Sequence, residues 1–95
     1  MTTTQAIVPT DKASRYLQQL CKHWSHKFEV TFDAESGHVP LPIGDARMAA
    51  GAEALTITLT TPEGGDMARL QDVVSSHLNR FAFREGELVY DWQAV

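Results

Sequence analysis

Between residues 13 and 24 the side chains Ala13, Tyr16, Leu17, Leu20, Cys21 and Trp24 recur at i, i+3, i+4, i+7, i+8 and i+11. At 3.6 residues per turn these positions form one continuous stripe, so the segment is a helix with a single apolar face. Such a face has to be buried against another element, and the rest of the chain says which kind. "ALTITLT" places Leu55, Ile57 and Leu59 on one side of a strand, and "FEVTF" (residues 28–32) does the same with Phe28, Val30 and Phe32. "ELVYDW" alternates Leu88, Tyr90 and Trp92, which predicts a last strand. The break "TPEGGD" precedes a second helical stripe of Met67, Leu70, Val74, Leu78 and Phe81, flanked by Val73 and Ala82. That helix starts between Pro62 and Asp66, and Gly86 marks the chain reversal after it.

The remaining stretches are weaker. "QAIVP" (residues 5–9) is β-prone and stopped by Pro9, after which Thr10 or Asp11 caps the first helix. "DAESG" is a turn. "HVPLPIG" is an edge strand or irregular, because its two prolines cannot donate to a ladder, and "DARMAAG" alternates faintly. The expected order is β-α-β-β-β-β-α-β: an α+β fold with two helices on one face of a mostly antiparallel sheet. Strand order stays open. The 95 residues suit one domain, with residues 1–4 a frayed polar tail.

Composition removes several function classes. Eight basic residues against twelve acidic ones, net charge −4, argue against a nucleic-acid partner. No run approaches the roughly 18 apolar residues of a membrane span. The amino terminus lacks the basic and apolar regions of a signal peptide, so a cytoplasmic location is expected. One cysteine allows no intramolecular disulfide.

The chemistry-bearing residues concentrate in "CKHWSH", residues 21–26. On a helix Cys21 lies about 160° from His23, whereas His23 and His26 are about 60° apart on one side. Cys21 is therefore expected in the core as a small hydrophobe, and the histidines at the edge of the stripe. His77 lies about 40° from the centre of the second stripe and is expected to be partly buried. His38, beside the proline-rich stretch, is expected to be exposed. Arg80 and Arg84 follow His77 at i+3 and i+7, while Gln19, His23 and His26 form a flank of the first helix, with Lys27 just beyond.

If those flanks meet, imidazoles and guanidiniums gather in an otherwise acidic protein, a setting for a carboxylate, phosphate or catecholate. Two alternatives stay open. Cations near helix C-termini also offset the dipole and bind the last carbonyls. His23, His26 and His77 are an alternative metal set, though a structural zinc takes four ligands and a catalytic one three. No Cys-x-x-Cys, His-Glu-x-x-His, calcium-loop or cofactor motif is present. Ser14, Ser25, Ser36, Ser75 and Ser76 sit in no nucleophile elbow, and Asp72 faces away from His77. A non-enzymatic module fits better than an enzyme.

"RYLQQLCKHWSHK", "LQDVVSSHLNRFAFRE" and the closing "DW" resemble the small bacterial family catalogued as domain of unknown function 2218. The similarity spans Ile7 to Trp92 and is loosest in "HVPLPIGDARMAAGAEA". The resemblance implies no assigned reaction. It implies neighbourhood with, or fusion to, siderophore-interacting flavin reductases, hence an accessory role in siderophore or iron handling. A siderophore-like anion and such a reductase are the partners it suggests, with Trp24 or Trp92 as an anchor in a docking role. The element order also resembles one repeat of the TATA-binding-protein-like fold, whose DNA function the acidic charge does not favour.

Overall fold

The computed structural model describes residues 1–82 and 88–95. The elements are β1 (Thr2–Pro9), α1 (Ala13–Trp24), β2 (Thr31–Phe32), β3 (Ser36–Leu41), β4 (Gly44–Ala50), β5 (Ala54–Thr61), α2 (Met67–Phe81) and β6 (Gln93–Ala94). Their succession is the expected β-α-β-β-β-β-α-β, and all six strands join one antiparallel sheet in the order β2-β3-β4-β5-β1-β6. Both helices cover one face, α1 over β3 and β4 and α2 over β5. Gly86 and Arg84 lie outside the described residues. Among the described residues no helix is long and apolar enough to cross a membrane.

The core follows from the two periodicities. All six stripe residues of α1 are buried, and Leu55, Ile57 and Leu59 of β5 meet them and α2 from below. Leu70, Val74 and Leu78 close the α2 side, with Met67 and Phe81 half-buried at its ends. Gly37 of β3 lies directly under α1: a Cβ there would sit 2.6 Å from Cys21 Sγ, so the absent side chain sets the helix-to-sheet distance. Cys21 is fully buried, as its helix phase implies.

Four expectations need correction. Residues 2–4 are strand, not a frayed tail: Thr2, Thr3 and Thr4 pair with Thr61, Thr60 and Leu59. Backbone pairing recruits them, reinforced by Thr3 Oγ1 to Thr60 Oγ1 at 3.2 Å and Gln5 Nε2 donating to Thr58 Oγ1 at 3.0 Å. Of "FEVTF" only Thr31 and Phe32 pair; Phe28 and Val30 are half-buried without joining a ladder. Leu88, Tyr90 and Trp92 keep the burial of an alternating segment but join no ladder among the described residues, and β6 starts at Gln93. The Tyr90 hydroxyl donates instead to Asn79 Oδ1 of α2 at 2.9 Å, and the Tyr90 and Trp92 rings stack. Helix α1 begins after Lys12, with Thr10 Oγ1 accepting the Lys12 N–H at 3.1 Å, so Thr10 contributes earlier in the chain than a cap does.

The capping of α2 is conventional: Asp66 accepts the Arg69 N–H at 3.1 Å. The "DAESG" turn is an Asx turn in which Asp33 Oδ1 accepts the backbone N–H of Glu35 and of Ser36, each at 2.8 Å. Those two donors hold the Asp33 carboxyl below the usual carboxylate range.

The β3–β4 connection is the two-residue link Pro42–Ile43. Proline fixes φ near −65° and Ile43 has no positive φ, so the primed hairpin turns are excluded. The departure is taken up by Gly44, at φ 155°. This turn projects Leu41, Pro42 and Ile43 toward the helices, where they become one wall of a cavity.

Candidate functional site

The helices approach each other at the carboxyl end of α1. The His23 and His77 rings lie 5.6 Å apart between centroids, Trp24 and His77 5.1 Å, and His23 and Phe81 6.0 Å. The flank of α1 carrying His23 therefore does meet the flank of α2 carrying His77. Where they meet, a cavity of about 420 Å³ opens between the helices and the β3–β4 turn. Trp24, Phe28, Leu41, Pro42, Ile43 and Val73 supply its apolar lining; His23, His26, Lys27, Arg69 and His77 supply its polar side.

Each contributor is placed by local structure. Trp24 ends the apolar stripe and is 5 % exposed, which removes it as an anchor for a docked partner. After it the chain turns back, with Lys27 N–H and Phe28 N–H both donating to the Trp24 carbonyl at 3.0 Å. That turn carries Lys27 and Phe28 to the rim. His23 and His26 are exposed, and His77 is half-buried. His77 Nδ1 lies 2.7 Å from the Val73 carbonyl one helical turn back; a carbonyl only accepts, so Nδ1 carries the proton.

The arginines differ from expectation. Arg80 is exposed and lines no part of this cavity, and Arg84 is outside the described residues. Arg69 stands in their place. With Val73 and His77 it occupies i, i+4 and i+8 on one line of α2, running toward the amino terminus rather than away from it. The spacing was available in the sequence; the position of the 41–43 turn, which decides the end of α2 that matters, was not.

Two other recesses are weaker candidates. A groove of about 300 Å³ on the far side of His23 and His26 is lined by Gln19, Lys22 and Phe81, with Gln19 Oε1 shut off from solvent and unbonded. A larger hollow of about 510 Å³ lies by β2, β3 and β4. Its Asp33 carboxylate is already committed to the Asx turn, and Phe32 is its one aromatic side chain besides His38. His38 there is half-buried rather than exposed, its Nε2 3.4 Å from Asp45 Oδ2 without a hydrogen bond. The 420 Å³ cavity is the strongest candidate because it sets an extended apolar wall of Trp24, Phe28, Leu41, Ile43 and Val73 against both Lys27 and Arg69, whereas the 300 Å³ groove has Phe81 as its one apolar side chain among the described residues. Among the described residues no three His, Cys, Asp or Glu side chains come together to hold a metal ion.

Cys21 lies beneath this region and does not take part in it. Burial pushes its thiol up to about 11 from 9.0, so it is neither a thiolate nucleophile nor a ready ligand. Because the folded state disfavours the thiolate, its contribution to stability is complete below the unfolded pKa and is lost as pH rises through the folded one. Unfolding free energy should fall by about 2 kcal/mol more in the wild type than in Cys21→Ala as pH rises from 9 to 11. Urea titrations of both proteins across that window measure it; parallel curves would show that the thiol is not buried. Burial also raises Tyr90, whose hydroxyl stays protonated and bonded to Asn79.

No curated protein matches the chain. The NMR structure of PA4090 from Pseudomonas aeruginosa superposes with a TM-score of 0.80 at 35% sequence identity, covering 98% of this chain and 96% of that one. Residues 5–93 match the model of a family described as uncharacterized protein conserved in bacteria. Two blocks place the helix–helix junction within that match, "LCKHWSHK" on α1 and the His77-bearing end of α2. The chain thus belongs to this bacterial family, domain of unknown function 2218.

Proposed function

We propose that this domain is a non-enzymatic binding module for a small anion with an apolar body, held at the junction of α1, α2 and the β3–β4 turn. The observation that carries the proposal is the composition of the 420 Å³ cavity: Trp24, Phe28, Leu41, Ile43 and Val73 on one side, Lys27, Arg69 and three imidazoles on the other. An aromatic or aliphatic body fills the first set, and a carboxylate or catecholate takes charge-assisted hydrogen bonds from the second. The family resemblance to neighbours of siderophore-interacting reductases makes a catecholate or carboxylate chelator, free or with its iron, the ligand of first choice. A cytoplasmic reductase is then the partner that would supply or receive it. Cys21 is unreactive and the serines lie outside the cavity, which supports binding rather than chemistry.

Titration with salicylate, dihydroxybenzoate, citrate and their ferric complexes, followed by tryptophan fluorescence, tests this. Trp24 lines the cavity and Trp92 does not, so the wild-type signal should survive in Trp92→Phe. Arg69→Met keeps the apolar stem and removes the forked donors, and should weaken binding roughly tenfold to a hundredfold. Arg80→Met, on the exposed surface, should leave it unchanged. Added salt should weaken binding. Binding that is indifferent to both Arg69→Met and salt would overturn the assignment.

A further inference from the structure

Within the same cavity, and resting on the binding proposal, the His77 geometry points to a more specific ligand class. We propose that the site recognises an acidic aromatic hydroxyl, a phenol or its kin, by taking the hydroxyl proton on His77 Nε2 and holding the resulting oxyanion beside Lys27 and Arg69.

The Val73 carbonyl fixes Nδ1 as the N–H position, at 2.7 Å. In the neutral ring Nε2 then carries the lone pair, on a side chain that lines the cavity. The ring is wedged between Trp24 at 5.1 Å and His23 at 5.6 Å, so it is held in orientation by packing as well as by the carbonyl. A permanently ionised carboxylate has no use for an acceptor, whereas a hydroxyl donor does. The neighbouring charges decide whether the donor keeps its proton. His23, His26 and Lys27 face the cavity from the α1 side and Arg69 from α2, while the 41–43 turn brings no charge. Among the described lining residues there is no carboxylate.

Lys27 and Arg69 favour the oxyanion on the ligand, and that oxyanion, in hydrogen-bond contact with the new Nε2–H, offsets the repulsion the same cations exert on the imidazolium. The O–H bond breaks with its electron pair left on oxygen, the Nε2 lone pair forms the new N–H bond, and Nδ1–H keeps its carbonyl. No oxidant or second reactant is needed. The apolar lining of Trp24, Phe28, Ile43 and Val73 receives the ring.

The test uses para-nitrophenol, whose ionisation is visible in its absorbance, with the 95-residue chain at a pH below the free ligand's ionisation midpoint. The bound probe should absorb as the phenolate, its apparent midpoint lowered by about one unit or more. The 15N signal of His77 Nε2 should move from the lone-pair to the N–H position on binding. His77→Gln, which cannot take up a proton, should bind the probe as the neutral phenol, and its melting temperature shows whether the fold is kept. A bound neutral phenol in the wild type, an unprotonated Nε2, or an unchanged phenolate signal in His77→Gln each overturns the proton transfer while salicylate binding leaves the cavity proposal standing. If neither salicylate nor para-nitrophenol binds the wild type, both proposals fall.

Discussion

Trp24→Ala is expected to lower the free energy of unfolding by about 3–5 kcal/mol. The indole is 5 % exposed, ends the α1 stripe and packs against His77 of α2, so its removal leaves a void where the two helices meet. Small domains hold about 5–10 kcal/mol in total, so the variant should lose a large share of its stability and unfold at a much lower urea concentration. Trp92, half-buried on Tyr90 near the chain end, lacks that position, and Trp92→Ala should cost distinctly less. Urea denaturation of the two variants measures the contrast. Equal losses would mean that the α1–α2 junction is not the keystone of the packing.

Gly44→Ala should cost about 3 kcal/mol or more, from two independent sources. A Cβ at this position would meet the Thr60 carbonyl oxygen at 2.6 Å and Leu70 Cδ2 at 2.8 Å. The carbonyl belongs to the central strand β5 and cannot step aside as a flexible side chain does. The φ of +155° adds backbone strain that only glycine avoids. Gly64 separates the two causes: its φ is +81°, but nothing lies within 4 Å of where an added methyl would sit, so Gly64→Ala suffers strain alone, about 1–2 kcal/mol. Thermal and urea unfolding of both variants give the comparison. Because Gly44 launches β4 from the Pro42–Ile43 turn, its replacement should also weaken salicylate binding, whereas Gly64→Ala should not.

How much of this was legible in the chain depends on what each segment is held by. The stripe from Ala13 to Trp24 and the alternation of Leu55, Ile57 and Leu59 report one-sided burial directly, and the structure places them as that burial requires. Thr2 to Thr4 carry no such signal, because they are recruited by backbone pairing to β5 and β6. Leu88, Tyr90 and Trp92 err the other way: their burial alternates because they pack on the rest of the fold, not because they pair. Period-two burial reports one-sided packing and does not by itself establish a ladder. The segment 28–32 pairs only at Thr31 and Phe32, its start being taken up in a turn in which the Val30 N–H donates to the Phe28 carbonyl.

The site divides along a similar line. That His23 and His77 sit on helix flanks, and that Cys21 does not share them, follows from 100° per residue. Their meeting at 5.6 Å follows only from the sheet that spaces the helices. Arg69 rather than Arg80 reaches the cavity because the β3–β4 turn stands beside the earlier turns of α2, a relation between segments far apart in the chain that no local pattern encodes. The apolar wall Leu41, Pro42 and Ile43 was equally silent, since an apolar hairpin turn has no periodicity to read.

The most direct measurement of the central claim is a 15N-edited NMR titration of the 95-residue chain with salicylate. Perturbations should saturate and cluster on His23, Lys27, Ile43, Arg69, Val73 and His77, on both helices and the β3–β4 turn together. Thr31, His38 and Arg47, which line the larger hollow by β2, should stay still. Saturating shifts centred on His38 and Arg47, or none at the α1–α2 junction up to millimolar ligand, would contradict the account.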